Sequence, residues 1–206
     1  MINRLAKGLE AVTVKLWLLF LLLSQSIYAV MQNYSIPRIS REAGGLLIFD
    51  MNPLGYTYEY ARKFLTQLSE EGYTLYLHVQ LPLDILFPIL NCLTGLSTFI
   101  LLIRLYNKVK ITSALPIYSS FSKAVLALPI AAMLFDYLEN IMIFMMLSYR
   151  AAVPISLVYV ASIFTIIKSI STVVFYIVVI AILLVNGVAW IRSRSKKEQK
   201  DGEFRD

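Results

Sequence analysis

Charge, cysteine and histidine are all scarce in this chain. Of its 206 residues 16% are charged, one is cysteine and one is histidine. Soluble domains carry about 25% charged residues, so this is not an ordinary aqueous globule. The lone Cys92 excludes an internal disulfide, a CxxC redox pair and any cysteine-built metal cluster. The lone His78 stands six residues before Asp84. That spacing puts the two on opposite sides of a helix and argues against a zinc site. The chain also lacks a G-x-S-x-G elbow, a phosphate-binding loop, an HExxH pair and a dinucleotide fingerprint. No basic, aromatic-rich surface points to nucleic acid. The apolar runs do not alternate, which excludes membrane-barrel strands.

Apolar residues are what the chain has in excess: 58% of positions are hydrophobic, and the mean hydropathy is +0.69. They gather in four runs, at about 16–31, 75–103, 124–147 and 155–191. A span needs roughly 20 such residues, so the expected fold is a single-domain, all-α integral membrane protein with four transmembrane helices. The fourth run is too long for one upright crossing and carries no turn signal for two. It is expected as one tilted or kinked helix. The first run has a rival reading as a cleaved signal peptide, although Ile27 at the −3 position before the next small site is a poor match.

Charge fixes the expected direction. Residues 1–15, 104–123 and the tail after Trp190 together hold 13 basic and 5 acidic residues, whereas 31–79 and 148–153 hold 5 of each. Positive charge stays on the cytoplasmic side, so both termini are expected in the cytoplasm, with the plasma (inner) membrane as the host. Trp17 and Trp190 then fall at one interface, where indole rings are favoured. The tail 192–206 is expected as a disordered, basic anchor on anionic headgroups.

Between the first two spans, residues 32–74 form an extracytoplasmic segment. Its Pro and Gly residues up to Gly55 suggest loop and turns. Thr57 is placed to cap an amphipathic helix running to about Glu71, with Gly72 as its stop. Tyr60, Phe64, Leu65 and Leu68 share one face of that helix, opposite Arg62, Lys63, Gln67 and Glu70.

The candidate site lies inside the spans. Asp84 sits in LPLDILFP, Asp136, Glu139 and Asn140 in LFDYLEN, and Lys168 in the fourth run. Each charge at mid-bilayer costs about 2.5–3.5 kcal/mol on insertion scales, so such groups face the bundle interior and pair. Asp136, Glu139 and Asn140 share one helical face through their i, i+3, i+4 spacing. At about 1.5 Å per residue from the outer ends, Asp84, Asp136 and Lys168 lie some 14–21 Å deep, near one level. Asn91 extends the polar face two turns below Asp84, and Pro82 and Pro88 flank the acid. Three acids against one lysine leave an excess of negative charge, met by protons held on the acids or by a cation.

Three functions fit these residues. The first is a non-enzymatic protein whose polar pocket, built from Asp84, Asn91, Asp136, Glu139, Asn140 and Lys168, binds a lipid headgroup, small molecule or cation. The second is a lipid-modifying or isomerising enzyme with Asp136 or Glu139 as acid/base. The third is an accessory subunit of a larger membrane complex. A purely structural Asp136–Lys168 ion pair that fixes helix register is the bland alternative to a site. No cofactor or metal is expected. The expected partners are the bilayer, a lipid or small molecule, and a membrane protein.

Overall fold

A computed structural model describes residues 11–109 and 119–203, and among these every regular element is helical. Helix α1 (Val14–Val30) opens at Thr13, whose hydroxyl accepts from the Leu16 N–H at 3.2 Å. It runs through a π-helical turn (Met31–Ser35) into α2 (Ile36–Glu42). A loop holding one 3₁₀ turn (Phe49–Met51) leads to α3 (Tyr58–Gln67) and α4 (Glu70–Leu75). A second π-helical turn (Tyr76–Gln80) opens α5 (Leu81–Val109). Helix α6 (Ser120–Tyr149) and a 3₁₀ turn precede α7 (Ile155–Glu203).

Four stretches are long and apolar enough to cross a membrane: Val14–Glu42, Glu70–Lys108, Ser120–Ala152 and Ile155–Val188. Their surface is inverted relative to a soluble protein. Leu22, Ile85, Ile141, Ile163, Ile177 and Leu184 point outward, while Gln80, Asp84, Glu139, Asn140, Thr165 and Asn186 are buried. Apolar faces of this extent are tolerated in lipid and not in water. The chain is accordingly a multi-pass helical membrane protein. Helix α1 packs along α5, α6 packs along α7, and α5 touches both partners of that pair.

Three expectations need correction. The first and second spans extend well beyond 31 and before 75, because α2 and α4 continue them through the two π-helical turns. Each turn immediately precedes a helix whose second residue is proline, Pro37 or Pro82. A proline cannot donate to the carbonyl four residues back, and the widened turn absorbs that defect. Gly72 is not a stop: α3 ends at Gln67, Leu68 is extended, and the Ser69 hydroxyl caps a new helix through the Gly72 N–H. A Cβ on Gly72 would come within 2.5 Å of Glu42, so the residue is there for the close approach of α4 to α2. The tail is helical as far as Glu203 rather than disordered, as one continuous α7. Lys110, in the connection after the second span, lies outside the described residues.

The segment between α2 and α5 covers one end of the bundle, called here the capped end. Phe49, Phe64 and Tyr76 are fully buried there, with Phe49 ring centroids 4.8 Å from Phe64 and 4.9 Å from Tyr56. These rings pack with Ile143, Met146 and Leu147 of α6 and Val158 of α7. Helix α3 turns Ala61, Phe64 and Leu65 inward and leaves Arg62 and Lys63 exposed. Gly55 pins the loop down. It adopts φ +83°, and a Cβ would lie 2.5 Å from the Ser162 hydroxyl. The next residue's N–H, that of Tyr56, donates to that same hydroxyl at 2.9 Å.

Candidate functional site

Lys168 of α7 is the centre of the polar cluster. Its ammonium lies 3.2 Å from Asp136 Oδ1 of α6 and 3.2 Å from Asp50 Oδ1 of the capping loop. It also pairs with Glu139 Oε2. Glu139 has no exposed side chain, and its other oxygen accepts from Thr165 at 2.6 Å. Asp50, Asp136 and Glu139 each bring an oxygen within 4.8 Å of the others, close enough to hold a cation. The protein supplies that cation itself. Three carboxylates around one ammonium offer an acceptor to each of its three donors.

Asp84 belongs to a second branch. Its Oδ2 accepts from Gln80 Nε2 at 2.9 Å, and Gln80 Oε1 in turn accepts from Ser35 at 2.5 Å. Ser35 and Gln80 sit on the two π-helical turns, so these irregular segments meet through buried polar side chains. Asn140 Nδ2 joins the branches by donating to the Asp84 carbonyl at 3.3 Å and, weakly, to Asp136 Oδ1 at 3.5 Å. Tyr76 closes the far side with a long bond, 3.4 Å, to Asp50 Oδ2. The neighbouring Tyr56 hydroxyl is held neutral: burial first, then the Glu139 carboxylate, push it well above its ordinary range.

A cavity of about 510 Å³ opens beside the cluster, between α1, α5, α6 and α7. Asp50, Asp84, Asp136 and Lys168 are the charged residues in its wall. Phe87, Met133, Phe175 and Tyr176 form its apolar side. Helices α1 and α7 face each other across this space without packing along one another. Tyr28 of α1 and Val173 and Tyr176 of α7 line the cavity and are exposed at the bundle surface. The space therefore communicates sideways with the lipid-facing surface.

Of the residues proposed from sequence, Asp136, Glu139 and Lys168 are in direct contact, and Asn140 and Asp84 join them through hydrogen bonds. Asn91 lines the cavity but has no part in the described contacts of the cluster. His78 is exposed on the second π-helical turn, and Cys92 is buried beside the cavity. Sequence reasoning missed Asp50, Gln80 and Ser35. A signal for Asp50 exists, since it is the one charged residue in the stretch GLLIFDMNPLG.

Glu139 is buried behind Lys168, whereas Asp84 and Asp136 line the cavity. Compared with protein-family models, curated proteins and solved structures, the chain matches none of them.

Proposed function

We propose that this membrane protein is a non-enzymatic binding protein whose cavity takes an amphiphile with a cationic, ammonium-type headgroup. The observation that carries the proposal is the charge of the wall. Lys168 is already surrounded by three carboxylates, and Asp84 presents a further carboxylate whose described partner is the neutral Gln80 amide. An anionic headgroup would meet acids with no spare cation. An ammonium would offset the excess acid and donate to Asp84 and Asp136 in a low-dielectric site, where such bonds are strong. The apolar wall of Phe87, Met133 and Phe175 suits a hydrocarbon tail, and the gap between α1 and α7 suits entry from the bilayer.

The distribution of Lys and Arg supports cytoplasmic termini, with the capped end and its cavity toward the opposite leaflet. Thermal unfolding in a mild detergent tests the charge rule. A single-chain amine amphiphile is expected to raise the melting temperature of the wild type, because a ligand that binds only the folded state stabilises it. A carboxylate amphiphile of equal chain length is expected to leave it unchanged. Asp84→Asn is expected to fold and to lose the amine response. Equal responses to both amphiphiles, or an undiminished amine response in the variant, would overturn the proposal.

A further inference from the structure

Below the charged cluster the same cavity has a second polar level, this one uncharged. Gln25 of α1 and Asn91 of α5 line it there, and among the described residues neither side-chain amide has a hydrogen-bond partner. Three contacts set the register of the helices. Ser24 meets Thr94 across α1 and α5 at 3.5 Å, the Tyr137 hydroxyl donates to the Ile85 carbonyl at 2.9 Å, and the Thr165 hydroxyl donates to Glu139 at 2.6 Å. Counted along helices that alternate in direction, they bring Gln25, Asn91, Ala132 of α6 and Thr172 of α7 near one level, and all four line the cavity. Asn91 is seven residues past Asp84, or about 10 Å at 1.5 Å per residue. One turn further on, Gly95 meets Pro129 and Phe175 so closely that a Cβ would lie 3.3 Å from each. No lining residue lies beyond Gly95 on α5 or beyond Pro129 on α6, so the cavity ends there.

This level is a costly place for an unpaired amide. Asn91 is close to the middle of the apolar stretch Glu70–Lys108, and Thr172 to the middle of Ile155–Val188. The two amides therefore stand near the bilayer midplane, where neither lipid nor bulk water satisfies them. An unpartnered polar group in such surroundings carries a desolvation cost that an apolar side chain would avoid. Between the two levels the wall has nothing to bond. Phe87 has no polar side-chain atom, and the Asp84 carbonyl that Pro88 leaves without its helical donor is taken by Asn140 Nδ2 at 3.3 Å. We infer, building on the amine-binding reading above, that the ligand is a bifunctional amphiphile, with an ammonium at Asp84 and Asp136 and a neutral hydroxyl or amide about 10 Å along its chain, bonded to Asn91 and Gln25. A hydroxyl or amide both donates and accepts, as the two carboxamides do. A second charge would find no counterion there, because the charged residues of the wall, Asp50, Asp84, Asp136 and Lys168, all belong to the upper level.

Thermal unfolding of the full-length protein with three single-chain primary amines of equal length tests this. One has no hydroxyl, one has a hydroxyl about 10 Å from the nitrogen, and one has it at half that distance, opposite Phe87. The two amino alcohols differ only in where the hydroxyl stands, so a difference between them reports position rather than partitioning into detergent. The isomer with the distant hydroxyl is expected to reach half its effect on the melting temperature at a concentration about fivefold lower than the other, the value of one net hydrogen bond. Gln25→Leu combined with Asn91→Leu is expected to fold, since neither amide has a described partner to lose, and to abolish the difference between the isomers. Equal potency of the two amino alcohols on the wild type, with the plain amine active, would overturn the inference and leave the amine reading standing. A preference that survives the double substitution would overturn it as well. No response to any of the three amines would overturn the amine reading itself, and the inference with it.

Discussion

The two ends of this bundle are built on different principles. At the capped end, four carboxylates and one lysine are held in a low-dielectric interior, and nearly every element there serves to satisfy them. The loop delivers Asp50, both π-helical turns deliver a polar side chain, and a buried aromatic layer closes over the top. At the terminal end the apolar core is smaller, centred on Phe99, Ile103 and Phe175, and the polar contacts described there include Trp17 to Thr98, Arg104 to the Val12 carbonyl, and Asn186 Nδ2 to the Leu102 carbonyl at 3.3 Å. The difference shows what charge demands of a membrane fold. Burying an ion pair costs several kcal/mol per ion in desolvation, so it survives only where many groups converge on it. Lys108, exposed at the other end, carries no such desolvation cost.

The hardest blow to the capped end is removal of its cation. Lys168→Met leaves Asp50, Asp136 and Glu139 facing one another, and is expected to destabilise the protein by about 3–5 kcal/mol. Unfolding in detergent measures this. Adding Asp136→Asn and Glu139→Gln is expected to recover part of the loss, because uncompensated charge, and not missing volume, is the defect. Next comes the loop that carries Asp50. Gly55→Val combines a left-handed backbone with a clash at Ser162, and strain of this kind costs about 1–3 kcal/mol. Protease cleavage between Gly45 and Thr57 is expected to accelerate in this variant while the terminal end stays protected. The smallest effect is expected at that terminal end. Asn186 is buried with its Oδ1 unpartnered among the described residues. Leucine removes that unpartnered oxygen and gives up only the long Nδ2 bond to the Leu102 carbonyl, so gain and loss nearly offset. Asn186→Leu is expected to leave the melting temperature unchanged or raise it slightly; a large loss would show that polar contacts matter equally at both ends.

Periodicity and hydropathy made the spans legible, since lipid imposes length and composition on each helix. The i, i+3, i+4 spacing of Asp136, Glu139 and Asn140 placed those residues on one face, and depth counting brought Lys168 and Asp84 to their level. Asp50 escaped because its partner lies 118 residues away and its neighbours are turn formers. A long-range contact made by a loop leaves no periodic trace. The π-helical turns escaped for another reason. Pro37 and Pro82 predict a defect in the helix, but whether the chain kinks or widens depends on the packing around Ser35 and Gln80. Ser69 defeated the stop assigned to Gly72, because a capping hydroxyl restarted the helix three residues earlier.

Native mass spectrometry of the gently solubilised protein tests the central claim most directly, comparing wild type with Asp84→Asn. The account predicts a bound molecule on the wild type whose fragments include an ammonium or amine headgroup, and its absence from a folded Asp84→Asn. A bound anionic molecule that survives the substitution would contradict it, as would a bare wild-type protein indistinguishable from the variant.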